Sequence, residues 1–334
     1  MTKRIAVLLL LGVSVLGLAS SALAQEPTTL KVIVFPGGAN WPLWVAEDKG
    51  FLARERLRME ITLTPGSVFQ LTNLIAGKFD IAMTAIDNLI AYNEGQGEVA
   101  VPGTPDLFAF MGGNHAFLSL ATLPEIGGYA DLRGKELAVD AVTTGFAFVL
   151  QEMLEANGLR EGDYKLVPAG GTLQRWQALQ KKQFAGTLLN TPFDLFATAA
   201  GFKLLGRGID VLGRYEALVG GARRSWAQAH PDELVGFIRA YVASLGWLFD
   251  RANRGEAIEL FRKRNPQASP EIVAQTYDIF FAPAGGVHPR AALDVEGIRT
   301  VLRLRSKYAR PKKELTDPAR YYDLVYYERA MRGR

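Results

Sequence analysis

The sequence predicts an α/β protein of two lobes, each a mostly parallel sheet flanked by helices. Three observations carry this. Short β-type runs alternate with helical patterns, the order that builds parallel sheets with helices on both faces. The same rhythm starts afresh after Leu132-Arg133-Gly134-Lys135. The 334 residues, less a leader of 24, leave 310, enough for two domains at roughly 100–200 residues each.

The leader is read first. Lys3 and Arg4 precede an apolar stretch, Ile5 to Leu18, and Ala22-Leu23-Ala24 places small residues where a signal peptidase cuts, just before Gln25. This three-part layout is that of a secretory signal peptide over residues 1–24, cleaved after Ala24. The apolar stretch is short for a membrane span of about 20 residues. Cysteine is absent, which excludes disulfides, thiol chemistry and an acylated cysteine anchor. A free exported protein is retained only behind an outer membrane, so the expected location is the periplasm.

The elements follow in order. Leu30 to Phe35 reads as a strand ended by Pro36-Gly37-Gly38; Trp41 to Leu52 has helical spacing, with Gly50 as a stop signal. Met59 to Thr64 alternates and ends at Pro65-Gly66; Ser67 stands as an N-cap before Leu71, Leu74 and Ile75. Asp80 to Thr84 and Leu107 to Met111 are strands, with a helical segment from Asn88 to Asn93 between them. In the second unit, strands are expected at 136–139, 164–167, 186–189 and 203–205, and helices at 146–156, 173–181 and 192–200. Beyond Arg223 the chain reads as helical, at 231–251, 255–264, 270–281 and 294–308, a tail expected to pack on the first lobe. The resulting division is residues 25–115 with 210–334 as lobe 1, and 116–209 as lobe 2.

Composition narrows the function. Removing Lys3 and Arg4 leaves 36 basic against 34 acidic residues, a net charge of +2, which gives no case for nucleic-acid binding. The basic residues Lys307, Arg310, Lys312 and Lys313 read as solvated surface. His115, His230 and His288 are far apart in sequence and form no ligand-spaced pair. H-E-x-x-H and G-x-S-x-G signatures and a Walker-type loop are absent, and Gly95-Gln96-Gly97 lacks the third glycine of a dinucleotide fingerprint. The expectation is a protein that is not an enzyme and uses neither metal nor cofactor.

In open α/β sheets ligands bind beyond the carboxyl ends of the strands. The loops there run over 36–41, 65–68, 84–87, 140–146, 170–172 and 190–193. Their candidate ligand-binding residues are Gly38, Asn40, Trp41, Ser67, Val68, Thr84, Asp87, Thr143, Thr144, Phe146, Gly171, Thr172, Asn190 and Phe193. Glycines let backbone approach a ligand, free N–H groups at helix starts suit polar acceptors, and Trp41, Phe69, Phe146 and Phe193 offer flat surfaces. The same residues also suit humbler roles: Ser67 and Asp87 as helix caps, the aromatics as core.

At these residues the chain resembles the substrate-binding proteins of ABC transporters, in the group that takes sulfonates, nitrate and thiamine pyrimidines. Trp41-Pro42-Leu43-Trp44-Val45-Ala46-Glu47-Asp48-Lys49-Gly50-Phe51-Leu52 is similar to the family's first helix. Pro65-Gly66-Ser67 with Leu74 to Ala82, and Asp131 to Val139, are similar to its second motif and the start of its second lobe. The resemblance implies a type II periplasmic binding fold, with crossovers near 113–118 and 206–220 and the ligand between the lobes. It implies a monomer that captures a small planar or anionic molecule by lobe closure and delivers it to an inner-membrane permease. The first-lobe loops carry no conspicuous arginine, which favours a planar organic ligand over a strong anion, although Arg175 can supply a positive charge. The alternatives are an enzyme like the fungal pyrimidine synthases, which the lack of cysteine and the scarcity of histidine oppose, and a ligand-sensing receptor subunit.

Overall fold

The strand Thr28–Val34 (β1) buries alternate and then consecutive side chains, as a central strand covered on both faces must. The structure, a computed structural model, describes residues 26–115, 117–282 and 286–332; the expected leader, with its cleavage point after Ala24, lies outside them. β1 is followed by helices Trp41–Asp48 (α1) and Phe51–Arg54 (α2), strand Leu57–Leu63 (β2), helix Ser67–Ile75 (α3), strand Ile81–Ala85 (β3), helix Ile86–Asn93 (α4) and strand Leu107–Asn114 (β4). The chain then crosses over. Leu118–Thr122 (β5), Glu136–Val139 (β6), Gly145–Ala156 (α5), Lys165–Pro168 (β7), Thr172–Gln180 (α6), Gly186–Asn190 (β8), Phe193–Ala199 (α7) and Lys203–Arg207 (β9) form the second unit. Gly208–Leu212 (α8) leads back to Leu218–Arg223 (β10). The remainder is helical: Arg224–Ala229 (α9), Pro231–Phe249 (α10), Arg254–Arg264 (α11), Pro270–Phe280 (α12), Val295–Tyr308 (α13) and Val325–Met331 (α14).

The two five-stranded sheets repeat one plan, β2-β1-β3-β10-β4 and β7-β6-β8-β5-β9. In each, β-α-β units place three parallel strands side by side, and a strand delivered by a crossover runs antiparallel: β10 between β3 and β4, β5 between β8 and β9. This is the two-lobed type II periplasmic binding fold. The sequence reading missed both crossover strands, and both are what make the sheets mixed.

The tail does not rest on one sheet alone. α10 packs on α1, α2 and α14, whereas α13 lies against α4 on one side and α5 on the other. Glu152 of α5 accepts bonds from Arg303 (2.8 Å), Lys307 (2.8 Å) and Tyr308 (2.6 Å) of α13, and these hold its carboxyl at about 2 against the upward push of burial. The basic cluster read as solvated surface is thus partly engaged, since Lys307 pairs with Glu152 and Glu155, and Lys313 with Glu94. No described helix is long and apolar enough to cross a membrane.

Candidate functional site

A cleft of about 80 Å³ opens where the carboxyl ends of the two sheets face each other. A single water occupies roughly 10–15 Å³ of such space, so this is room for several waters or one small molecule. From β1 the chain contributes Phe35, Pro36 and Ala39, and from the β3–α4 junction Ala85 and Asn88. The crossovers bring Asn114, Phe117, Ala217 and Leu218. The loop after β6 supplies Asp140, Thr144, Gly145 and Phe146; α6 supplies Thr172 and Arg175, and β8 ends in Asn190. Phe280 closes α12, a helix started by Pro270 and by the Ser269 hydroxyl accepting the Ile272 N–H.

The walls are aromatic with polar groups set among them. Phe117 and Phe280 stack at 4.3 Å and 16°. Arg175 is 2 % exposed, and its guanidinium is bound by the chain itself: Nε to Thr187 Oγ1 (3.0 Å), Nη1 to the Gly170 carbonyl (2.8 Å), Nη2 to Thr172 Oγ1 (3.2 Å) and the Leu188 carbonyl (3.1 Å). Burial pulls its pKa below the ordinary value, and nearby Asp140 opposes that pull. Asp140 accepts the Ser67 N–H from the other lobe at 3.0 and 3.3 Å. Asn88 donates to Thr84 Oγ1 at 3.1 Å, and Asn190 Oδ1 is buried without a partner among the described residues.

Of the residues expected from the sequence, the structure brings Thr144, Phe146, Thr172 and Asn190 to this cleft. Trp41 is corrected: it is fully buried in the lobe 1 core, its ring 4.4 Å from Phe261 and edge-on to Tyr277 and Phe281, its Nε1 donating to the Ala257 carbonyl. Starting α1 directs it inward, where a large apolar ring gains most from burial. Asp87 is corrected too: it is 1 % exposed and paired with Arg305. Thr143 points out of the cleft to Glu98 (2.8 Å), and Phe193 packs with Trp176 and Leu189 in a core of lobe 2. Val68 and Thr84 line no part of the cleft; the Val68 carbonyl accepts the Thr72 hydroxyl and Thr84 is buried.

Gly38, Asn40, Ser67 and Gly171 support the cleft from behind. Gly38 lies against the Phe280 ring and the Thr191 carbonyl, and Asn40 Nδ2 donates to the Phe35 carbonyl at 2.8 Å. Ser67 offers its N–H to Asp140 and follows an N-cap that is Gly66, while the Gly171 N–H reaches the Pro65 carbonyl at 2.8 Å. Phe69, expected to stack on a ligand, is 45 % exposed on the outside of α3. Among the residues that sequence reasoning missed, Phe35 and Asn88 lie one residue outside the loops at 36–41 and 84–87, whereas Asn114, Phe117 and Leu218 come from the crossovers and Phe280 from the tail. No strand-end pattern marks such positions.

Two histidines 173 residues apart in sequence meet where the tail passes the first crossover: His115 and His288 have ring centroids 4.2 Å apart. His288 Nε2 lies 3.0 Å from the buried Glu216, and His115 Nδ1 is 3.9 Å from Asp294. Among the described residues no cluster of three or more His, Asp or Glu is arranged to hold a metal ion.

With this geometry in view, known structures of the same shape are informative. The ligand-binding component of an ABC-type import system from Staphylococcus aureus, solved with zinc bound, superposes with a TM-score of 0.74 at 15% identity, over 92% of this chain and all of that one. The nitrate-binding protein NrtA of Synechocystis PCC 6803 gives 0.73 at 13% identity, over 91% and 88%. The alkanesulfonate-binding protein SsuA of Xanthomonas axonopodis pv. citri, bound to MOPS, gives 0.66 at 19% identity, over 85% and 92%. No curated protein matches by sequence. The family model described as NMT1/THI5 like matches residues 40–254, from the loop before α1 through β10 and the whole of α10, and the chain belongs to that family.

Proposed function

We propose that this chain is the exported, periplasmic solute receptor of an ABC importer, a monomer that closes its two lobes on one small planar organic molecule and presents it to an inner-membrane permease. The observation that carries the reading is the cleft at the facing strand ends, which combines the phenyl rings of Phe35, Phe117, Phe146 and Phe280 with the amides of Asn88, Asn114 and Asn190. Flat apolar walls with a few fixed polar groups are how proteins bind small organic ligands. Both lobes contribute to it, so binding favours closure. The described lining of the cleft includes no histidine, His115 and His288 lying off its walls, and the chain has no cysteine, which supports capture of the ligand unchanged.

The test combines a thermal-shift screen of the mature protein with small-angle scattering. A ligand present at 100 times its Kd stabilises by about 2.7 kcal/mol, a readable rise in Tm. A hit should shrink the radius of gyration, bind one to one and be recovered intact by mass spectrometry. Recovery of a new product in proportion to protein would replace this reading with an enzymatic one.

A further inference from the structure

The positive features of the cleft are already matched by the chain's own acceptors. The start of α3, where backbone N–H groups and the helix dipole favour negative charge, faces the Asp140 carboxylate across the lobe boundary through the Ser67 N–H. The approach is close enough that a Cβ on Gly66 would stand 2.9 Å from Asp140 Oδ1. The other positive group is Arg175, whose guanidinium makes four hydrogen bonds to Thr187, Gly170, Thr172 and Leu188. The Asp140 charge lies near enough to Arg175 to offset part of the cost of burying its guanidinium, and the Asp87–Arg305 ion pair is already made within the chain. A solute bringing a net charge would therefore be buried without a counter-charge, which is costly.

What the walls do present is an acceptor, the remaining lone pairs of Asp140; Asn190 also lines the cleft, and its Oδ1 is buried and has no partner among the described residues. We infer that Asp140 is a specificity-determining residue: it fills the anion-favouring seat at α3, so that the cleft takes a neutral planar ligand bearing N–H donors and discriminates against carboxylates and sulfonates. This rests on the receptor reading above. It differs from the ligand classes named for the nitrate- and alkanesulfonate-binding structures of the same fold.

The experiment uses matched planar pairs, benzamide with benzoate and nicotinamide with nicotinate, titrated calorimetrically into the mature protein and into Asp140→Asn and Asp140→Ser. The wild type should bind the amide of each pair roughly tenfold or more tighter than its carboxylate, the scale of a hydrogen bond to a charged group. Both variants free the Ser67 N–H from a full negative charge and leave Arg175 unbalanced, so each should reverse the preference while keeping the wild-type circular dichroism. Carboxylate binding by the wild type at equal or higher affinity, or an unchanged preference in the variants, overturns the inference. If carboxylates bind and compact the protein in scattering, the charge assignment fails and the receptor reading stands. If no amide or carboxylate binds, the inference fails here, and the wider screen proposed above then decides the receptor reading on its own terms.

Discussion

Arg305, carried by α13, forks onto the Asp87 carboxylate with bonds of 2.8 and 2.6 Å, and its Nη2 also reaches the Thr143 carbonyl of the second lobe at 2.8 Å. Both side chains are essentially out of solvent, at 0 and 1 % exposure. Gln96 Oε1 takes a further bond from Nη1 at 3.3 Å, and the Phe148 ring lies 5.1 Å from the guanidinium carbon. A tail helix is thereby tied to α4 in one lobe and to the loop before α5 in the other.

Breaking this pair leaves an uncompensated buried charge. Arg305→Ala and Asp87→Ala should each lose about 3–5 kcal/mol in urea unfolding. The double variant should lose much less than the sum, because its members share one interaction. Additive losses would mean the two side chains act independently.

Trp41→Ala should cost about 3–5 kcal/mol of stability, the scale for a large ring removed from a core. The surviving folded protein should bind its ligand with unchanged affinity, since the ring points to Phe261 and not to the cleft. Calorimetry on the folded fraction checks this, and a loss of affinity would return Trp41 to the binding site.

Gly145 opens α5 where there is no room for a side chain: a Cβ would meet Asp87 Cγ at 2.5 Å and Tyr215 Oη at 2.8 Å. Gly145→Ala should destabilise by about 1–3 kcal/mol through overpacking. It should also weaken ligand binding, because Thr144 and Phe146 flank it on the cleft wall. Thermal melts and titration of the same sample separate the two effects.

His115 is held below its ordinary value by burial and then by His288 and Arg214, against the Tyr215 carbonyl and Asp294. A base with a depressed folded pKa contributes stability that is complete above the ordinary value of 6.5 and lost as pH falls through it toward the lower folded value. Wild-type Tm should therefore fall faster than that of His115→Gln as pH drops below about 6.5. Glu216, pushed up by burial, acts in the opposite sense as pH rises above 4.5, so the difference between the two proteins at each pH isolates the histidine. Parallel curves would show that His115 titrates alike in folded and unfolded chains.

Much of the architecture was legible because its signals are local. Leu30–Phe35, Met59–Thr64 and Glu136–Val139 carry strand patterns bounded by turns, and all lie in strands or run one or two residues past them. β10 was hidden because Leu218-Val219-Gly220-Gly221 has poor strand propensity. Its glycines answer to neighbours instead, since a Cβ on Gly220 would stand 2.5 Å from the Phe110 ring and one on Gly221 2.9 Å from Leu89. At the cleft, the strand-end rule located the loops but not which side chains turn inward. Trp41 and Phe193 turned to core, while Phe117 and Phe280 entered from segments whose placement depends on tertiary contacts alone.

The position of β10 has a consequence for how the chain acquires its shape. The second sheet is contiguous, running from Leu118 to Arg207, whereas the first lacks its inner strand until residues 218–223 have been made. Until then β3 and β4 have no hydrogen-bonded link to one another, and each exposes an edge able to pair with foreign strands. A chain emerging amino end first therefore reaches its inserted half early and its flanking half late, with the longer loop closure setting the slower step. Pulse-labelled hydrogen exchange during refolding should find amides of β6 and β8 protected before those of β3 and β4. The reverse order would mean that the first sheet forms around a gap.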